Sequence, residues 1–153
     1  MISAVSNAAI DMYARTRETV SYRPESVPRA HITARAIGVG RLVLGATFLA
    51  APRFSVRVLG VDSATAKRMT FLARMAAARD IGLGLGTLGA GTAAAPWLLA
   101  GAGADAVDAV VIAGALRSGT SRGLPAAGIV AGAAATAAVG VWAALTLRRA
   151  KLD

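Results

Sequence analysis

The stretch FLARMAAARDIGLGLGTLGAGTAAA, residues 71–95, decides how the rest of the chain is read. Its length and apolar character suit a membrane-crossing helix, yet it carries Arg74, Arg79 and Asp80. Charged side chains inside such a helix are expensive and therefore face a protein interior, a cavity or a partner. Other apolar segments of the chain offer partners: Arg41 upstream, and Asp105 and Asp108 downstream. The expectation is a small helical membrane bundle built around a layer of charge.

Composition points the same way. Of 153 residues, 56% are hydrophobic but only 5% aromatic, so Ala, Val, Leu and Gly make up the apolar mass. Small side chains let helix backbones approach closely, which is how helices associate in lipid, where no hydrophobic drive acts between them. A net charge of +9 raises the question of nucleic acid. The basic residues, however, gather at the ends of apolar segments, as charges do that anchor helices at anionic headgroups. No basic face or aromatic stacking platform accompanies them, so nucleic acid is not expected. The absence of cysteine excludes disulfides, thiolate chemistry and Cys-ligated metal sites. No basic-then-apolar leader opens the chain, and the first hydrophobic helix is expected to act as an uncleaved insertion signal.

Taken outward from residues 71–95, the sequence divides into residues 1–30, an amphipathic helix and a proline-containing linker, and residues 31–153, a transmembrane domain of four helices at about 33–51, 72–95, 97–116 and 125–147. The fold class is thus all-α, a four-transmembrane-helix bundle with an N-terminal amphipathic helix. The first segment gives about 28 Å of helix, just enough to cross the hydrocarbon. Ile2, Val5, Ala9, Met12 and Val20 recur at helical spacing and predict a face that lies on the membrane or docks on a partner. Pro24 and Pro28 are expected to end that helix. Pro52 closes the first crossing, and Asp62-Ser63 reads as a helix start in the connection that follows. Pro96 marks a tight hairpin turn, and residues 117–123 form a polar loop.

Four crossings put both ends of the chain on one side. Eight Lys and Arg lie on that side and six on the other, which predicts cytoplasmic termini in a multi-pass protein of the inner (plasma) membrane. Antiparallel threading places Arg41 and Asp105 both ~10–12 Å below the terminal side, Asp108 at ~16 Å, and Arg79 and Asp80 at ~21–22 Å. The expected pairs are Arg41 with Asp105 and Arg79 with Asp108. Arg79 and Asp80, adjacent and diverging around the helix, are expected to serve different neighbours. Gly82, Gly86 and Gly89, with Gly128 and Gly132, have the small-xxx-small spacing of helix-packing faces.

Parts for catalysis are missing. His31 has no evident acidic or Cys companion, and Gly82-x-Gly84-x-Gly86 follows no strand, so it is not a dinucleotide fingerprint. Asp105-x-x-Asp108 resembles the start of the phosphoalcohol-transferase signature, but Ala109 stands where that signature needs Gly and no aspartate follows in the last segment. No catalytic residue, metal ligand or cofactor is expected.

Arg41-Leu42-Val43-Leu44-Gly45, Ala78-Arg79-Asp80-Ile81-Gly82-Leu83-Gly84 and Asp105-Ala106-Val107-Asp108 together resemble a family of uncharacterised small four-helix integral membrane proteins of bacteria, chiefly actinobacteria. The resemblance covers about residues 34–147. It implies a membrane fold and supplies no activity. The expected function is a non-catalytic accessory subunit of a larger membrane assembly, an envelope lipid transporter being one such assembly, with membrane lipids as neighbours. The alternative is a small ion-coupled transporter that uses the Arg/Asp layer.

Overall fold

The computed structural model describes residues 25–152, and all its regular structure in that range is helical. The elements are α1 (Ser26–Ala50), α2 (Pro52–Arg57), α3 (Ser63–Arg68), α4 (Thr70–Gly89), a 3-10 turn (Gly91–Ala93), α5 (Ala95–Arg117) and α6 (Leu124–Arg149). The face formed by Ile2, Val5, Ala9, Met12 and Val20 lies outside the described residues.

Three helices, α1, α5 and α6, are long and apolar enough to cross a membrane. The chain therefore has the character of a membrane protein. α4 has 20 residues but holds Arg74, Arg79 and Asp80. Pro28 does not break the chain: α1 starts before it and carries it in the first turn. Proline is tolerated there because the first N–H groups of a helix have no intrahelical partner. Pro52, Pro96 and Pro125 occupy the first turns of α2, α5 and α6 for the same reason. α4 ends at Gly89, earlier than the sequence suggests, because Gly91 at φ +52° turns the chain into the hairpin before α5.

The bundle is built as two hairpins, α1 with α4 and α5 with α6, joined by packing of α1 on α6 and a thinner contact of α4 on α5. Its interior is made of small residues. α1 buries Ala30, Ala34, Gly38, Arg41 and Gly45, and α4 buries Ala73, Ala77, Asp80, Gly84 and Thr87. These are successive steps of three and four, one straight seam along each helix. At the crossing, a Cβ on Gly84 would stand 2.8 Å from the Gly38 carbonyl oxygen, and one on Gly45 would stand 2.9 Å from the Ala77 carbonyl oxygen. Glycine is required at both places because two backbones meet there. Large apolar side chains point outward instead, among them Val43, Phe71, Val107, Val110 and Val111, each more than half exposed. This inversion suits a molecule whose surroundings are as apolar as its core.

Polar side chains within the helices are satisfied locally. Thr47, Thr87, Thr136 and Thr146 each donate to the carbonyl four residues earlier, so none of these hydroxyls is left open to lipid.

Two apolar clusters close the ends. Ala30, Ala34, Leu98, Ala143, Ala144 and Leu147 pack with Ala94 and Ala95 at the end where α1 begins and α6 finishes. Val56, Ala66 and Ala73, with Phe48, Val61 and Met69, pack at the other. At that second end two loops are clasped: the Ser121 hydroxyl donates to the Leu59 carbonyl, and Gly60, at φ +75°, lies directly beneath the Arg122 carbonyl. α3 starts where Asp62-Ser63 predicts, with the Asp62 carboxylate accepting from the amides of Ala64 and Thr65 and from the Thr65 hydroxyl. Those bonds favour the ionised form and hold the Asp62 carboxyl below the usual carboxylate range, the Thr65 hydroxyl contributing most.

Candidate functional site

The charged layer lies between the two apolar clusters, and its members arrive by simple helix register. Arg41 stands in the buried seam of α1 between Gly38 and Gly45, and Asp80 in that of α4 between Ala77 and Gly84. Helix crossing at the glycines therefore brings the two charges face to face. Arg41 Nη1 donates to Asp80 Oδ1 at 3.0 Å, and Nη2 donates to Asp105 Oδ2 at 2.6 Å. The guanidinium thus spans two carboxylates from two helices, a charge-assisted geometry with one arm for each.

Room for that guanidinium comes from Gly101, one turn before Asp105 on α5. A Cβ there would lie 2.8 Å from Arg41 Nη2 and 3.0 Å from Cζ and Nε. The side chain of Arg41 is 7% exposed, that of Asp80 8% and that of Asp105 14%. These three form the closed half of the layer.

The other half opens outward. Arg79 grips Asp108 with two parallel bonds, Nη1 to Oδ1 at 3.2 Å and Nη2 to Oδ2 at 2.7 Å. Its Nε and Nη2 also reach the neighbouring Asp80 Oδ1 at 3.3 and 3.2 Å. Side-chain exposure rises here to 34% for Arg79 and 41% for Asp108. The layer is one network: Asp80 Oδ1 accepts from both arginines, and through them α1, α4 and α5 are tied together.

The pairs Arg41–Asp105 and Arg79–Asp108 are those that antiparallel depth predicts. Arg79 and Asp80, expected to turn to different neighbours, do so and also touch each other. A long guanidinium folds back across one residue, which a helical-wheel angle between Cα positions does not register. Asp105 and Asp108, three apart on one face, are divided between Arg41 and Arg79.

The packing glycines lie elsewhere than the sequence spacing indicates. Gly82 and Gly89 are exposed with open space where a Cβ would be, and so are Gly128 and Gly132. Of that set only Gly86 is used, and what it admits is the Trp97 ring rather than a helix backbone. The close contacts are at Gly38, Gly45, Gly84 and Gly101, with Gly140 against Ala102 and Leu98 in the α5–α6 pair. Gly38 and Gly45 are three and four residues from Arg41, and Gly84 and Gly101 are each four from an aspartate of the layer, but Gly82, three from Arg79, lies exposed, so spacing from a charge does not by itself pick the buried row. Residues at such spacing share a face with the charge, and for Arg41, Asp80 and Asp105 that face is turned inward.

His31 is half-buried in the second turn of α1, and Arg74 is exposed on α4. Arg53, Arg57, Lys67 and Arg68 line the exposed outer side of α2 and α3 beside Phe54, which is 68% exposed. That end of the molecule presents cations and an aromatic ring together, as headgroup anchors do.

No family model, curated protein or solved structure matches the chain.

Proposed function

We propose that the chain is a four-crossing integral membrane protein, α4 being the fourth crossing, and that it serves as a non-catalytic subunit of a larger membrane assembly. Support for α4 as a crossing comes from its length and from where its charges go. Arg79 and Asp80 are both consumed in pairs with other helices, and Arg74, near the start of α4, is long enough to snorkel to the headgroups.

The observation that carries the subunit reading is the open flank of the layer. Arg79 is the tenth of the 20 residues of α4, close to mid-membrane in this placement. A bidentate ion pair left one-third exposed to lipid tails at that depth is poorly stabilised, because partial burial in an apolar medium removes hydration without a full set of partners. A helix of a second protein laid along the thin α4–α5 contact would cover it.

The test places a photo-cross-linking residue at Met75 or Val111, one turn from Arg79 and Asp108, with Val139 on α6 as the reference position. In native membranes one defined protein adduct is expected from the first two positions and none from Val139. Adducts to lipid alone at all three would overturn the proposal. Carrier activity is the second reading, favoured by the placement of Asp108 as the carboxylate at the open flank. It requires ion-dependent flux in liposomes that Asp108→Asn abolishes while the helix content stays unchanged.

A further inference from the structure

The charges of the layer do not balance. Arg41 and Arg79 face Asp80, Asp105 and Asp108, three carboxylates against two guanidiniums. Among the described residues, nothing on the packed elements makes up the difference. α6 has no titratable side chain before Arg148, and Arg35 of α1 and Arg74 of α4 are exposed and bond to no carboxylate of the layer. An uncompensated charge in so poorly hydrated a place is disfavoured, and the usual outcome is that a group neutralises.

The three carboxylates are not equivalent. Asp80 Oδ1 receives three N–H groups from two arginines, and Asp108 receives one on each oxygen from the fork of Arg79. Each of these two carboxylates thus has two or more guanidinium N–H groups on it. Asp105 has a single donor, Arg41 Nη2 on Oδ2, and its Oδ1 takes no hydrogen bond among the described residues. It also shares the Arg41 guanidinium with Asp80, so two like charges are held against one cation. A proton on Asp105 Oδ1 removes that repulsion and leaves every hydrogen bond of the layer in place. A metal ion is a weaker solution: the three carboxylates do not converge on one point at which they would ligate it, among the described residues, and helix carbonyls are already bonded.

We infer that the layer carries one proton, seated on Oδ1 of Asp105, which makes the five groups together neutral. The inference rests on the membrane placement proposed above and not on the existence of a partner.

The experiment is infrared spectroscopy of the full chain in lipid nanodiscs, with carboxyl-labelled aspartate to identify the protonated C=O stretch. One protonated aspartate per chain is expected at neutral pH, unchanged when sodium is replaced by choline, and lost in Asp105→Asn. Because the proton is there to balance charge, Arg79→Gln is expected to double the band, a second carboxylate then lacking its cation. Absence of the band in the natural chain would overturn the inference, and so would its persistence in Asp105→Asn or its appearance only when sodium is withdrawn. An unchanged band in Arg79→Gln would overturn charge balance as its cause and leave simple burial. Resistance of the chain to carbonate extraction from membranes reports the placement separately, so failure of one is distinguished from failure of the other.

Discussion

Substituting Gly101 by alanine tests the geometry of the layer with one added methyl group. Gly→Ala in a helix interior ordinarily stabilises by up to ~1 kcal/mol, because alanine has less backbone freedom to lose. At Gly103, two residues along α5, the space is open and that gain is expected in full. At Gly101 the new Cβ meets Arg41 Nη2 at 2.8 Å, against an ordinary contact of 3.4 Å or more. A guanidinium at the end of a flexible chain would normally swing aside at little cost. This one is held on both arms, by Asp80 at 3.0 Å and by Asp105 at 2.6 Å. Moving it by about half an ångström strains or breaks one charge-assisted bond, at ~1.5–3 kcal/mol, or shifts α5 outward at the ~1–3 kcal/mol typical of overpacking. The net expectation is a loss of ~1–2 kcal/mol in Gly101→Ala beside a gain in Gly103→Ala. Reversible unfolding in mixed micelles, followed by circular dichroism, measures both. Arg41→Lys removes the fork that the methyl strikes, so the penalty of Gly101→Ala is expected to shrink in that background. Equal stability of the two alanine variants, or a penalty undiminished in the Arg41→Lys background, would refute the assignment of Gly101 as the seat of the guanidinium.

Arg41→Met leaves Asp80 and Asp105 without their shared cation in the closed half of the layer, and is expected to cost ~3–5 kcal/mol in the same unfolding assay. Arg79→Met, whose side chain is one-third exposed, is expected to cost less; the reverse order would contradict the burial of the two halves. Gly60→Ala forces a side chain into a left-handed backbone and against the Arg122 carbonyl, and is expected to lose at least the ~1–2 kcal/mol of the backbone term. Asp62 is ionised in its capping role, and its depressed titration means that the cap's contribution is complete above the usual aspartate range and disappears as pH falls through the lowered value. The protection of the Ala64 and Thr65 amides, taken against the intrinsic exchange rate at each pH, is expected to fall in acid accordingly, and Asp62→Asn, which still caps, to remove most of that pH dependence.

Much of the layer was legible in the sequence because charge in an apolar helix leaves few arrangements open. Once Arg41, Arg79, Asp80, Asp105 and Asp108 are placed on antiparallel helices, depth gives Arg41–Asp105 and Arg79–Asp108 but sets Arg41 and Asp80 ~10 Å apart, whereas they bond at 3.0 Å because α4 ends at Gly89 rather than at residue 95. Rotation about the helix axis was not legible in the same way. Glycines are so frequent here that Gly82, Gly86 and Gly89 form as regular a row as Gly38, Arg41 and Gly45, and only contact shows which row is inside. Pro28 misleads for a different reason: proline ends a helix only when it arrives after the first turn, and here the helix begins two residues before it. The loop clasp, with Ser121 on Leu59 and Gly60 under Arg122, joins residues some sixty positions apart and leaves no local signature.

The division of the bundle into two hairpins gives each half of the chain its own electrical identity. Within the layer, the half ending at the Gly91–Ala93 turn brings Arg41, Arg79 and Asp80, and the half after it brings only Asp105 and Asp108. Each hairpin buries most of its helix contact internally, one cationic and the other anionic in the layer, and under the four-crossing placement proposed above each enters the bilayer as a pair. In a medium that screens charge so little, opposite signs draw the halves together from a distance and like signs keep copies of the same half apart. The layer then works as an address as well as a lock, and two fragments expressed separately from either side of Gly91 are expected to find each other and restore one bundle.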